Sequence, residues 1–149
     1  MGTKVRVAVA LAVAAVVGAC GDARGQDQQD EWTYAPQARY LQANLPVLEK
    51  AYVYCLESPI EGVVECAVRE VARIKLAHLT WESDALKKRL EDIALNGMTP
   101  PIRYKASLVR AIFDAPALFA AESSADFRTP TQLYLAVARR LESGMLAGK

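Results

Sequence analysis

Read on its own, the chain predicts an all-α fold, and three observations carry that reading. Apolar residues recur at steps of three and four along separate stretches, the period of a helix with one buried face. The seven prolines fall where helices can begin, several of them directly after a capping side chain. No stretch alternates apolar and polar residues between turn signals on both sides, as a half-buried strand would.

The first helix is expected over 36–57, bent at Pro46. A second, over 59–79, is announced by Ser58-Pro59-Ile60-Glu61. In this capping box the Ser hydroxyl accepts from the Glu61 amide, the carboxylate reaches back, and Pro takes the first helical position. Its apolar stripe is Ile60, Val63, Val64, Ala67, Val68, Val71 and Ile74. The third helix, 84–96, carries Leu86, Leu90, Ile93 and Ala94 and ends at Asn96-Gly97, a C-terminal cap signal. Thr99-Pro100-Pro101 opens the fourth, 100–114, with Ile102, Ala106, Val109, Ile112 and Phe113 inward. A short helix over 116–123 follows. The last, 130–143, starts from a second capping box, Thr129-Pro130-Thr131-Gln132, carries Leu133, Tyr134, Val137, Ala138 and Leu141, and stops near Gly144. Short connections make consecutive helices antiparallel hairpins. Both a short repeat stack and a compact helix bundle satisfy this pattern.

Ahead of the helices stand a basic head, Lys4 and Arg6, and then Val7 to Ala19 without a charge. That run is too short to span a bilayer, which takes roughly 20 apolar residues, but it suits an export signal. Val17-Gly18-Ala19-Cys20 resembles the bacterial lipobox, an aliphatic residue and two small ones before an obligatory cysteine. The resemblance implies a Cys20 thiol that carries lipid, with cleavage just before it and a membrane anchor in place of a spanning helix. Each buried methylene of such an anchor contributes about 0.8 kcal/mol. The residue after the lipid cysteine is Gly21 rather than Asp. By the same family rule this places the protein in the bacterial cell envelope, at the periplasmic face of the outer membrane if the organism is diderm. The domain reading is therefore a lipoprotein signal over 1–19, lipidated Cys20 and a flexible Gln- and Asp-rich tether over 20–35, a helical domain over 36–143, and a tail over 144–149.

Leu45-Pro46-Val47-Leu48, the turn Glu57-Ser58-Pro59 and the run Val63 to Val71 resemble one HEAT-type repeat. Leu86 to Leu95, Thr99-Pro100 and Ile102-Arg103-Tyr104-Lys105-Ala106 resemble a second, spaced 39–42 residues on. Such repeats imply a short HEAT-like solenoid whose second helices line an inner curve. On that curve Arg69, Arg73, Arg103, Arg110 and Arg139 form a candidate partner surface. Without the resemblance, Glu61, Glu65, Arg69 and Arg73, four residues apart, read as a solvated face with a Glu65–Arg69 pair.

Removing the signal takes away Lys4 and Arg6 and no acid, moving the formal charge from +1 to −1. A balance so near neutral argues against nucleic acid as a partner. Outside the cytoplasm Cys55 and Cys66, which flank the Ser58-Pro59 turn, are candidates for a disulfide, although Cys66 lies roughly 5 Å further from the turn at 1.5 Å per residue. His78 is the sole histidine and has no ligand-spaced companion, so no metal, cofactor or catalytic residue is assigned and the reading leans away from an enzyme. The functional expectation is a membrane-anchored lipoprotein acting as an adaptor for another envelope protein. The alternative is a small-ligand carrier or an envelope hydrolase, with a cavity lined by Tyr52, Tyr104 and the Phe residues.

Overall fold

The computed structural model describes residues 35–122 and 127–147, with side chains described over 44–122 and 127–146. The lipobox-like segment and the expected tether up to residue 34, Cys20 included, lie outside the described residues; residue 35, the expected end of the tether, opens the first helix. The helices are α1 (Ala35–Leu56), α2 (Glu61–Ala77), α3 (Asp84–Asn96), α4 (Pro100–Asp114) and α5 (Pro130–Ala147), with a 3-10 turn at Pro116–Phe119 before α5. No strand occurs among the described residues, so the all-α reading holds.

Two hairpins stack. Helix α1 packs on α2 and α3 on α4, the latter pair most extensively; α1 also lies against α3 and α2 against α4. Helix α5 packs on α4, and the 3-10 turn wedges against both. The predicted stripes supply the core: Val64, Ala67, Val68, Val71 and Ile74 from α2, Leu86, Leu90 and Ile93 from α3, and Ile102, Ala106, Val109, Ile112 and Phe113 from α4 are all buried. Full burial of a side chain of this kind contributes about 1.5–3 kcal/mol.

Two polar ties set the register between hairpins. Thr99 Oγ1 donates to Glu61 Oε1 at 2.8 Å, and Lys105 pairs with Glu65. The residues so joined lie 38 and 40 positions apart, close to the 39–42 spacing of the two sequence units. Like positions of neighbouring hairpins therefore stand side by side.

The first tie overturns one expectation. Glu61 turns to Thr99, Ser58 Oγ accepts from the Ile60 amide at 3.2 Å, and α2 starts at Glu61 without a side-chain cap instead of at 59. The Thr129 box does form: Thr129 Oγ1 accepts from the Gln132 amide at 3.3 Å, and Gln132 Oε1 accepts from the Thr129 amide at 3.3 Å. An unforeseen cap, Ser83 Oγ accepting from the Leu86 amide at 3.2 Å, opens α3.

Both glycines read as helix stops act through space rather than through backbone freedom. Gly97 has φ −57°, which any residue adopts, but a Cβ there would lie 2.5 Å from the Ile93 carbonyl oxygen. Gly144 sits inside α5, which continues to Ala147; a Cβ would approach the Leu118 side chain to 3.0 Å. Its missing side chain lets α5 close on the residues of the 3-10 turn. The short helix expected over 116–123 is reduced to that turn, which buries Phe119.

Candidate functional site

The five arginines of the predicted partner surface do not share one face. Arg103 donates to the Gly97 carbonyl at 2.9 Å, and Arg110 reaches Glu91 of α3 at 3.1 Å and Asp114 at 3.1 Å. These two brace the second hairpin. Arg69 and Arg73 both grip Glu70, at 3.1 and 3.4 Å, and Arg69 Nη2 also donates to Cys66 Sγ at 3.3 Å. The expected Glu65–Arg69 pair does not form, because Lys105 of α4 takes Glu65 instead. A stripe read as solvated is thus drawn into contact with α4, as the repeat spacing of opposite charges in α2 and α4 permits.

Arg69 and Arg73 meet a third guanidinium, that of Arg128, around a recess of about 50 Å³ floored by Phe127 and Leu133. It lies where the start of α5 approaches α2. Beside it runs an open groove of about 330 Å³ lined by Phe127, Arg128, Gln132, Leu135, Ala136 and Arg139. The recess and the groove share Phe127 and Arg128, so they form one continuous basic and apolar surface. The sequence names Arg139 for a partner surface on the inner curve of a repeat stack, not for this groove, and does not single out Arg128, which stands outside the helices; its signal is its position just ahead of the Thr129 capping box.

On the α4 side of α5 is another open depression, of about 270 Å³, lined by Tyr104, Lys105, Pro130, Tyr134, Leu135 and Ala138. Tyr134 is buried, its hydroxyl has no hydrogen-bond partner, and burial pushes the phenol above its ordinary range. Lys105 Nζ lies 5.6 Å from the centre of the Tyr134 ring. These cavities open at the surface; the Tyr52 side chain is packed into the core, while Tyr104 is exposed.

A second polar centre lies at the far end of α2. Lys75 has no exposed surface, yet its three ammonium donors are matched: Leu79 O at 2.6 Å, Trp81 O at 2.5 Å and Glu82 Oε1 at 3.1 Å. The Phe113 ring covers the charge. This clamp folds the α2–α3 loop down and sets Trp81 against Phe113, with ring centres 6.0 Å apart. Hydrogen bonding from Lys75, reinforced by Lys87, holds the Glu82 carboxyl below the usual carboxylate range, and Glu82 in turn holds the Lys87 ammonium above its own. Sequence reading missed Lys75, although position 75 follows Val64, Val68 and Val71 at helical steps and so falls on the buried stripe.

The candidate Cys55–Cys66 bridge is absent. Cys55 is a free, buried thiol, and burial raises its pKa, which keeps it a weak nucleophile. Cys66 is itself disulfide-bonded, which leaves it no thiol to offer Cys55. His78 meets the last carbonyls of α2 through its backbone N–H, at 2.9 Å from Ile74 O, while its Nε2 is buried without a partner. Among the described residues no three His, Cys, Asp or Glu side chains gather as a metal cluster would, and no helix is long and apolar enough to cross a membrane. Set against family models, curated proteins and solved structures, the chain matches none of them.

Proposed function

We propose that this chain is a lipid-anchored adaptor of the bacterial envelope, a stack of helical hairpins tethered through Cys20 that holds a partner protein near the membrane. One observation supports the adaptor reading over a ligand carrier: the core is filled by interlocking side chains, while the apolar and basic surface around α5 is open and continuous. A ligand carrier calls for a cleft or cavity of roughly 300–1,000 Å³ that buries most of its ligand, whereas this groove stands open to solvent. Anchoring adds function by raising the local concentration of whatever the domain binds. The Val17-Gly18-Ala19-Cys20 box supports the anchor, and the 38- and 40-residue ties between α2 and α4 support the likeness to HEAT-type stacking.

The test is mass spectrometry of the mature amino terminus from a membrane fraction, coupled to cross-linking in cells. Lipid on Cys20 and a reproducible protein partner are expected. An uncleaved terminus, or a peptide in which Cys20 is disulfide-linked to Cys66, overturns the anchor. A chain that cross-links to no protein at native abundance overturns the adaptor.

A further inference from the structure

Among the described residues most guanidiniums are matched within the molecule. Arg69 and Arg73 hold Glu70, Arg89 holds Glu57 and Asp92, Arg110 holds Glu91 and Asp114, and Arg140 holds Glu122. Arg128 and Arg139 differ: among the described residues neither guanidinium has a hydrogen bond or ion pair, and both line the same groove. Phe127, Leu135 and Ala136 line the same groove, with Leu135 half exposed. Gln132, Leu135, Ala136 and Arg139 recur at steps of three and four, so they form one stripe of α5 about 10 Å long, two helical turns. A groove lined by two unmatched guanidiniums and by apolar side chains has the complementary pattern of an amphipathic helix that presents carboxylates beside an apolar stripe.

The geometry points to an acidic amphipathic helix of a partner protein as the occupant of this groove. Its apolar residues lie on Phe127 and Leu135, one carboxylate meets Arg139, and the other meets Arg128 at the mouth of the recess bounded by Arg69 and Arg73. Charge complementarity is the argument for this occupant. Arg–carboxylate contacts are charge-assisted and two-pronged, and Arg128 and Arg139 can make them without breaking an internal pair. A concave trough suits a helix better than a flat bilayer, and the near-neutral chain as a whole suits neither nucleic acid nor a polyanion. This inference rests on the adaptor reading and names the chemistry of the partner.

The experiment uses the full chain in detergent and a short fluorescein-labelled helical peptide with two Glu seven residues apart and Leu at the third and fourth positions between them. A control peptide carries Lys for Glu, and phosphatidylglycerol vesicles form a third arm. Saturable binding of the acidic peptide alone is expected, weakening with added salt. It should fall at least tenfold in Arg128→Glu/Arg139→Glu, and also in Leu135→Asp, each checked for unchanged helix content. The milder Arg128→Gln/Arg139→Gln replaces the charge reversal if that variant fails to fold. Equal binding of both peptides, acidic-peptide binding indifferent to the arginines, or arginine-dependent vesicle binding without peptide binding overturns the inference. So does self-association that the charge reversal abolishes. In cells, a cross-linked partner that persists in Arg128→Glu/Arg139→Glu leaves the adaptor standing and sinks the groove. Peptide binding in vitro without any cellular partner supports the groove and sinks the adaptor.

Discussion

Lys75 Nζ lies 4.8 Å from the centre of the Phe113 ring, so a full positive charge on α2 is roofed by an aromatic face of α4. A buried ammonium is costly unless every donor finds an acceptor, and here two loop carbonyls and one carboxylate provide them. The pair joins the two hairpins at the end opposite the Ser58-Pro59 turn.

Lys75→Met keeps the length of the side chain and removes the donors, stranding the Leu79 and Trp81 carbonyls. A loss of about 2–4 kcal/mol is expected. Urea unfolding should show it as a lower midpoint with an unchanged slope. An unaltered midpoint would mean that the clamp is not a source of stability.

Acid should loosen the same loop. Glu82 is held below its ordinary pKa in the fold, first by the hydrogen bond from Lys75. A depressed carboxyl contributes stability above its unfolded value, about 4.3, and loses it as pH falls through the lower folded value. The gap in unfolding midpoint between the wild type and Glu82→Gln should be present at pH 6 and close on acidification below about pH 4. Because Glu82 is half exposed, the gap will be small.

Tyr134→Phe removes a buried hydroxyl that has no partner, so it should be neutral or stabilising by up to about 1 kcal/mol. Alkali gives the sharper reading. Burial raises the folded pKa, so the unfolded chain releases this proton first and stability falls as pH climbs through the unfolded value near 10. The decline between pH 9 and 11 should be shallower in Tyr134→Phe, as followed by denaturant titration. Parallel declines would show that Tyr134 ionises freely.

The two glycines should part company. In Gly97→Ala the new methyl group meets a backbone oxygen that cannot swing aside, and a loss of about 1–3 kcal/mol is expected. In Gly144→Ala it meets only the Leu118 side chain, and the gain in helix propensity of about 1 kcal/mol offsets the crowding. Thermal midpoints of the two variants compare them directly.

What was legible in the sequence was local. The spacing of Leu86, Leu90 and Ile93, or of Ile102, Ala106 and Val109, fixes which face of a helix turns inward, and Thr129-Pro130-Thr131-Gln132 marks its start by a hydrogen bond three residues long. The misread acids have partners distant in sequence. Ser58-Pro59-Ile60-Glu61 has the composition of a cap, but its Glu was claimed by Thr99, 38 residues away. Glu65 was likewise claimed by Lys105, 40 residues away, whereas the acceptors of Lys75 lie only four to seven residues on, in the loop past the end of its own helix. The candidate site suffered most, because which arginines remain unmatched depends on which acids the folding chain brings to the others.

Helix α5 rests mainly on α4 and the 3-10 turn, whereas α2, α3 and α4 are each flanked by two or more helices. A segment supported along one flank can lift while the hairpins stay closed, so its amides should take up deuterium sooner than theirs. The surface carrying Arg128 and Arg139 is therefore also the leaf that opens most cheaply. Whatever grips it would be read out as slowed exchange in α5 before any change reached the interior.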